Sequence, residues 1–310
     1  MKDTTYIILL NYNGTDDTLE CLESLQKLTC ADFKIVVVDN SDKNNEFEAL
    51  HRYFVDECLS FISFVEGEKN SYTNEKYILI KALQNKGFSH GNNLGLHFAM
   101  QQPGANYFWI LNNDTVVLQN SLSELVQYHK RFPNTILGNK LLYYYNPNII
   151  QAIGGSFSTQ WYLCQHVAEG LDKNSLKSEL KSIDYPIGAS MFVNRNFVEK
   201  VGFLNEDYFL YFEELDWTER AKAIGFKVDW CETSVVYHKE GATIGSSYKE
   251  SKSFFSETQL FISRKKFVKK YYSLGFKFYF SSLLLLLNRL RKGKLKLAKE
   301  LIKITFNDVK

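Results

Sequence analysis

The sequence predicts an α/β fold with a mainly parallel central sheet flanked by helices, and three observations predict it. Short apolar runs recur at residues 6–10, 35–38, 77–80 and 107–111, each long enough for a strand buried on both faces. Helical spacing of apolar residues fills the gaps between them, which is the β-α-β alternation of a parallel sheet. Polar clusters end three of the strands: Asn11-Tyr12-Asn13, Asp39-Asn40 and Asn112-Asn113-Asp114. In open sheets of this kind ligands bind beyond the carboxyl ends of the strands, so these clusters are expected to converge on one cleft.

The elements follow in order. After the first strand, Thr15 supplies an N-cap and Asp16 and Asp17 an acidic first turn. Leu19, Leu22, Leu25 and Leu28 continue at helical spacing. The second strand, 35–38, leads to a helix at about 46–54 and a strand at 61–65, then a polar loop at 66–75 and a strand at 77–80. A Gly- and Asn-rich turn runs from Asn85, Lys86 and Gly87 to Gly91, Asn92 and Asn93, with a helix opening near Leu94. The strand at 107–111 precedes Ser121-x-x-Glu124, which reads as a capping box for a helix reaching about Phe132. In the second half, 185–193 reads as a strand, 205–212 as an aromatic loop, and 213–224 as a helix closed by Gly225. Short strands are expected at 228–230 and 235–237, followed by His238 and a loop to Ser247. No boundary precedes about residue 255, so 1–255 is expected to form the main domain. Residues 256–310 are expected to form a basic amphipathic helical region.

Composition narrows the function classes. Of 310 residues, 45% are hydrophobic and 23% charged, which excludes a disordered or coiled-coil chain. The 5 Cys are scattered with no C-x-x-C, which argues against a disulfide framework or structural zinc and fits a reducing compartment. The start of the chain lacks the profile of a signal peptide, and a cytosolic location is expected. The net charge of +2 conceals an asymmetry: residues 264–310 carry 14 Lys and Arg against 2 acidic residues, leaving an acidic body. The apolar stretch of this tail is shorter than the ~20 residues a membrane span needs. A basic amphipathic segment lying on anionic lipid at the cytoplasmic membrane face is the expected role, with packing on the body or a dimer contact as alternatives. An acidic body disfavours nucleic acid as a partner.

Candidate chemistry resides in a few residues. Asp114, at a strand end, suits a hard divalent cation that also holds phosphate oxygens, although Asp is equally at home in a strand-to-loop turn. His238 also follows a strand and is a second candidate ligand, or else a structural histidine. Glu213, Glu214 and Asp216 fall in one helical turn between aromatic flanks. Apolar surroundings raise a carboxyl pKa and suit it to general-base work, whereas a helix N-terminus accounts by itself for one or two acids. Arg220 is placed to pair with Asp216 at i+4. Asp39 is a candidate acceptor for a ribose or base, and Asn92 and Asn93 either donate to a phosphate at a helix N-terminus or cap that helix. No G-x-G-x-x-G, Walker or G-x-S-x-G motif occurs, which disfavours dehydrogenases, P-loop NTPases and α/β-hydrolases.

These motifs, in their order, resemble family-2 glycosyltransferases, closest to the bacterial rhamnosyltransferase-like subgroup. The similarity rests on Leu10-Asn11-Tyr12-Asn13-Gly14, Val38-Asp39-Asn40-Ser41, Asn85-Lys86-Gly87-Phe88 with Gly91-Asn92-Asn93, and Leu111-Asn112-Asn113-Asp114. Gly188-Ala189-Ser190, Glu213-Glu214-Leu215-Asp216-Trp217 and His238 continue it, so that it spans about residues 5–270. The resemblance implies a GT-A glycosyltransferase domain over 1–255, with a nucleotide-sugar half at about 1–120 and an acceptor half at about 121–255, a nucleotide-diphosphate sugar donor and inversion at the anomeric carbon. It places Asn11, Tyr12, Asn13, Asp39, Lys86, Asn92, Asn93, Asn112 and Asn113 around the donor, and Asp114 and His238 on Mg2+ or Mn2+. Glu214 is implied as the base, supported by Glu213 and Asp216, and Trp217, Gly188 and Ala189 as the acceptor side. The chain departs from the family in two places: a single acid remains of the D-x-D element, and the E-D element reads Glu213-Glu214. dTDP-rhamnose is the first donor expected and a UDP-hexose the second, with a saccharide or lipid-linked saccharide acceptor in bacterial surface polysaccharide synthesis. A sugar nucleotidyltransferase and a catalytically silent scaffold at the membrane are the alternatives; the single Gly after the first strand disfavours the former.

Overall fold

A computed structural model describes residues 3–307 apart from 31, 69–71, 177–181 and 240–252. Its core is a sheet in which β1 (Thr4–Asn11) pairs in parallel with β2 (Phe33–Asp39) on one side and β5 (Ala105–Asn112) on the other. β4 (Tyr77–Lys81) and β3 (Phe61–Val65) extend the parallel half outward from β2. Beyond β5, β11 (Ser190–Asn194) runs antiparallel and joins β5 to β7 (Thr135–Tyr143), which pairs in parallel with β12 (Lys227–His238). β6 (Thr115–Val117) closes that edge against β12, and β8 (Asn146–Ala152) lies on β7. β9 (Gly155–Ser158) and β10 (Leu163–His166) form a separate hairpin.

The strands read as unbroken apolar runs because both sheet faces are covered. Ile7, Leu9, Val37 and Trp109 face α1 (Thr15–Gln26), α2 (Asn44–Asp56) and α4 (Ser121–Arg131), packing with Leu22, Leu25, Phe54 and Leu125. The alternate residues Tyr6, Ile8, Val38 and Phe108 face α3 (Phe88–Met100), α5 (Arg195–Val201) and α6 (Glu213–Ala223) through Leu96, Phe197 and Trp217. Register fixes the functional edge: Asn11 is level with Asp39, and Leu10 with Asn112, so the three polar strand ends meet as expected.

Several local expectations are corrected. The helix near Leu94 starts at Phe88, because Gly87 (φ +100°) turns the chain where a Cβ would lie 2.3 Å from the Phe209 carbonyl oxygen. Gly14, not Thr15, is the N-cap of α1, and the Thr15 hydroxyl donates to Glu46 instead. The capping box is absent: the Ser121 hydroxyl donates to the Val235 carbonyl at 2.7 Å, and Glu124 accepts from Thr233. The strand expected at 185–193 begins only at Ser190, and the two expected at 228–230 and 235–237 are one strand with a bulge between Cys231 and Val235. The loop expected after His238 lies outside the described residues from 240 onward.

The C-terminal region consists of α7 (Phe254–Tyr271), α8 (Phe276–Arg291) and α9 (Leu295–Phe306). α7 belongs structurally to the body: Phe267 is fully buried with Tyr185, Tyr208, Phe212 and Leu215. α9 packs on α7 through Leu297, Leu301, Ile304 and Phe261. Among the described residues no helix is long and apolar enough to cross a membrane.

Candidate active site

The carboxyl ends of β1, β2 and β5 are tied into one polar network. The Asn11 amide donates to Asp39 at 2.9 Å, Asp39 accepts from the Ser41 hydroxyl at 2.6 Å, and Thr18 donates to the Asn11 amide oxygen at 2.8 Å. Asn113 reaches the same network through Thr18 (2.9 Å) and the Gly14 carbonyl (3.2 Å). Burial pushes the Asp39 carboxyl above its ordinary range despite the bonds from Ser41 and Asn11. Its Oδ2 has no hydrogen-bond partner among the described residues, which leaves an oriented acceptor beside the cleft.

Across β5 the turn into β6 carries Asp114. Because β6 pairs antiparallel with β12, with His238 level with Thr115, the last residue of β12 arrives beside Asp114. His238 Nε2 lies 3.1 Å from Asp114 Oδ1, and its Nδ1 is 2.9 Å from the Gln151 amide oxygen. An amide oxygen can only accept, so Nδ1 carries hydrogen and Nε2 is directed at the carboxylate. Lys239 holds this strand end in place, its ammonium on Asp17 and Glu20 and its N–H on the Asp114 carbonyl at 3.0 Å. Burial works against that ammonium, but the two carboxylates together keep its pKa above the ordinary lysine value.

A second acidic group lies at the N-terminus of α6. Tyr211 and Phe212 precede it with φ of +69° and +70°, two successive non-glycine residues in the left-handed region, at a cost of about 1 kcal/mol each. The Phe212 ring, buried against Phe267, anchors the turn. Glu213 is 4% exposed; burial first and the charge of Glu214 second hold its carboxyl well above the usual range. Glu214 is half-buried beside Gly188, where a Cβ would lie 3.9 Å from its carboxyl carbon. A side chain at Gly188 would thus touch Glu214 at ordinary van der Waals distance.

One cleft of about 1130 Å³ unites these parts. Tyr12, Asn112, Asn113, Asp114, His238, Gly188, Ala189, Glu213 and Glu214 all line it. Asn11, Asn13 and Asp39 lie outside its lining, and Lys86 points to solvent. Four other expectations are corrected by their surroundings. Asn93 stitches α3 to the loop before α6, donating to the Leu204 carbonyl (2.9 Å) and Glu206 (2.8 Å), and Asn92 donates to the Phe88 carbonyl one turn back. Both sit in the second turn of α3, so neither is at the helix N-terminus on which a phosphate contact depends. Asp216 is fully buried under Arg220 (2.9 Å), Lys270 and the Tyr271 hydroxyl (2.9 Å), so it is a structural acid. Trp217 is fully buried, its indole donating to the Gly202 carbonyl at 2.8 Å and its ring edge-on to Phe197, so it meets no acceptor.

Sequence reasoning placed Asn40 at the cleft without a role, and missed Gln151 and Asn85 as cleft residues. Asn40 donates to Asn85 at 2.8 Å, and all three line the cleft. For Asn40 and Asn85 the signal was present, as both stand inside motifs already singled out. Gln151 sits in a strand with no distinctive pattern.

As a metal centre, Asp114 and His238 offer one carboxylate and one imidazole, and among the described residues no group of three or more His, Cys, Asp or Glu gathers. Such a donor set fits Mg2+ or Mn2+ arriving with phosphate oxygens better than a cation held by protein alone.

The model of the family described as Glycosyl transferase family 2 matches residues 6–202. The low-salt glycan biosynthesis hexosyltransferase Agl10 of Haloferax volcanii is 22% identical over 240 residues, covering 77% of this chain and 68% of that one. Among solved structures, GalNAc-T7 with UDP, GalNAc and Mn2+ superposes with a TM-score of 0.62 at 15% identity, over 86% of this chain and 47% of that one. This chain thus spans about half the length of that structure, and the likeness is one of fold: a central sheet flanked by helices, of GT-A type. With the cleft at the carboxyl edge of such a sheet and a family match over most of the chain, the protein is a glycosyltransferase belonging to glycosyl transferase family 2.

Proposed function

We propose that the protein is an inverting hexosyltransferase that moves a sugar from a nucleoside-diphosphate donor to a saccharide or lipid-linked saccharide during glycan assembly. One observation carries this reading: Asp114 with His238, and Glu213 with Glu214, line a single cleft. The hexosyltransferase relative in glycan biosynthesis supports the product class. dTDP-rhamnose is the first donor to test and UDP-hexoses the second.

The nucleoside lies against Tyr12, Asn40 and the Asn11–Asp39 network. Asp114 and His238 are the residues that would hold Mg2+ or Mn2+, which when bound would supply positive charge to offset the negative charge developing on the leaving nucleoside diphosphate. The acceptor enters past Gly188. Its hydroxyl oxygen forms the new bond to the anomeric carbon from the face opposite the leaving group. The hydroxyl proton passes to the Glu214 carboxylate, and the bond electrons of the sugar–phosphate linkage leave with the nucleoside diphosphate. Glu213 lines the same pocket, and burial first and the Glu214 charge second hold its carboxyl above the ordinary glutamate range.

The tail fits a membrane surface. On α8, Phe276, Tyr279, Phe280, Leu283, Leu287 and Leu290 are exposed at three- and four-residue spacing, forming one apolar stripe. Lys277, Arg291, Lys292, Lys296, Lys299 and Lys303 flank it in solvent. Such a face suits the headgroup layer of an anionic bilayer, which supports the reading of a peripheral enzyme at a membrane surface.

Thermal melting of the full chain against a panel of nucleotide sugars, with and without Mn2+, tests the donor reading. Stabilisation by one nucleotide sugar that depends on Mn2+ supports it, and stabilisation by none refutes it.

A further inference from the structure

The cleft does not end at the catalytic carboxylates. It continues between α7, α8 and the β9–β10 hairpin, where Phe255, Leu260, Phe261 and Leu285 line it together with Arg264 and Arg289. Neither arginine has a part in holding a nucleotide sugar or moving a proton.

Arg264 is 3% exposed, and every hydrogen bond it makes goes to a neutral oxygen. Its guanidinium donates to the carbonyls of Tyr162 (2.8 Å) and Trp161 (3.2 Å) and to the hydroxyls of Ser282 (2.8 Å) and Ser281. Among the described residues no carboxylate stands within ion-pair distance of it. Burying a guanidinium with dipoles alone is costly, and burial lowers its pKa to about 10. Arg289 lies over the Phe261 ring at 5.6 Å and shares the single carboxylate of Glu257 with Lys294. This arm therefore holds more positive than negative charge inside apolar walls. Its outer wall is α8, the helix whose other face carries the exposed leucine stripe, so a hydrocarbon chain leaving the bilayer reaches the arm along one helix.

Resting on the glycosyltransferase reading above, we propose that this arm binds the phosphate and adjoining hydrocarbon of a lipid-phosphate acceptor. Arg264 and Arg289 face the phosphate, and Phe255, Leu260 and Leu285 contact the chain. The acceptor sugar then extends inward past Gly188 to Glu214. A water-soluble oligosaccharide has no use for a buried cation in a greasy channel, whereas a phosphorylated lipid matches both.

The test uses full-length protein and dodecyl phosphate carrying a diazirine on its chain, with the matching dodecyl alcohol and inorganic phosphate as comparisons. Photolabelled peptides are mapped by mass spectrometry, and nucleotide-sugar binding with Mn2+ is measured on the same samples. The expected result is labelling of the segments around Leu260 and Leu285, with dodecyl phosphate bound about tenfold or more tightly than the alcohol. Inorganic phosphate alone competes only weakly. Arg289→Gln, at a partly exposed position, weakens the phosphate probe about tenfold while leaving the alcohol unchanged. Arg264→Gln does the same wherever its melting curve shows it folded. Equal labelling by alcohol and phosphate overturns the proposal, as does labelling confined to the outer stripe at Leu283, Leu287 and Leu290, the signature of adsorption to a bilayer-like surface. Nucleotide-sugar binding that persists in either case shows that the lipid-phosphate site has failed alone; its loss in the parent protein overturns both readings.

Discussion

His238 faces Asp114 at 3.1 Å, Nε2 to Oδ1, while its other nitrogen is fixed on Gln151. The pairing joins residues 124 positions apart in the chain through the β6–β12 ladder. Asp114→Asn is expected to remove Mn2+-dependent donor binding while leaving the melting temperature of the free protein nearly unchanged. Calorimetric titration of donor with and without Mn2+ checks this; equal affinity in mutant and parent takes Asp114 out of the site.

Glu214 lines the same cleft as that pair. Glu214→Gln keeps the shape and removes the proton acceptor, so transfer is expected to fall at least about a thousandfold with donor affinity unchanged. Single-turnover assays give the result, and an active glutamine variant rejects Glu214 as the base.

Glu213 links catalysis to stability. Its folded pKa lies well above the value of 4.5 for an unperturbed glutamate, so folding favours its protonated form. That contribution is fully present below about pH 4.5 and is lost as pH rises through the folded pKa. Glu213→Gln cannot ionise, so it should raise the melting temperature at pH 7.5 and raise it less at pH 4.5. A gain independent of pH would contradict the assignment.

Asp216 is predicted to matter for folding and not for chemistry. Asp216→Ala leaves Arg220 and Lys270 without their shared carboxylate and should cost roughly 2–3 kcal/mol, below a fully buried pair because both cations keep some water. Denaturant unfolding measures this. Loss of turnover in folded protein at saturating substrate, with stability unchanged, would reinstate it in the active site.

The leucine stripe gives a prediction independent of the cleft. Leu283→Glu with Leu287→Glu should weaken binding to anionic vesicles roughly a hundredfold, from about 1.5 kcal/mol lost per leucine. Turnover on a soluble acceptor should be unaffected. Co-sedimentation with vesicles decides it, and unchanged binding means that the bilayer contacts another face.

Much of the donor half was legible because local pattern and tertiary role coincide there. The runs at Tyr6–Leu9 and Ile35–Val38 are apolar because both faces are covered, and their polar ends meet because parallel register makes them meet. The acceptor half was less legible. Three carboxylates in one turn look alike in sequence; Arg220 at i+4 marks Asp216 apart, and the arrival of Lys270 and Tyr271 from α7 completes the separation. Trp217, placed on the acceptor side by the resemblance, is fully buried with its indole on the Gly202 carbonyl. Asn93 was misplaced because the start of α3 depends on a long-range contact between Gly87 and Phe209, which no local signal carries.

The most direct test of the central claim is a crystal structure of the full chain with Mn2+ and the stabilising nucleotide sugar, read by the anomalous signal of manganese. The prediction is a peak bridging Asp114, His238 and the diphosphate, with the anomeric carbon turned toward Glu214. A metal peak away from Asp114, or a sugar whose reactive face points away from Glu214, would contradict it.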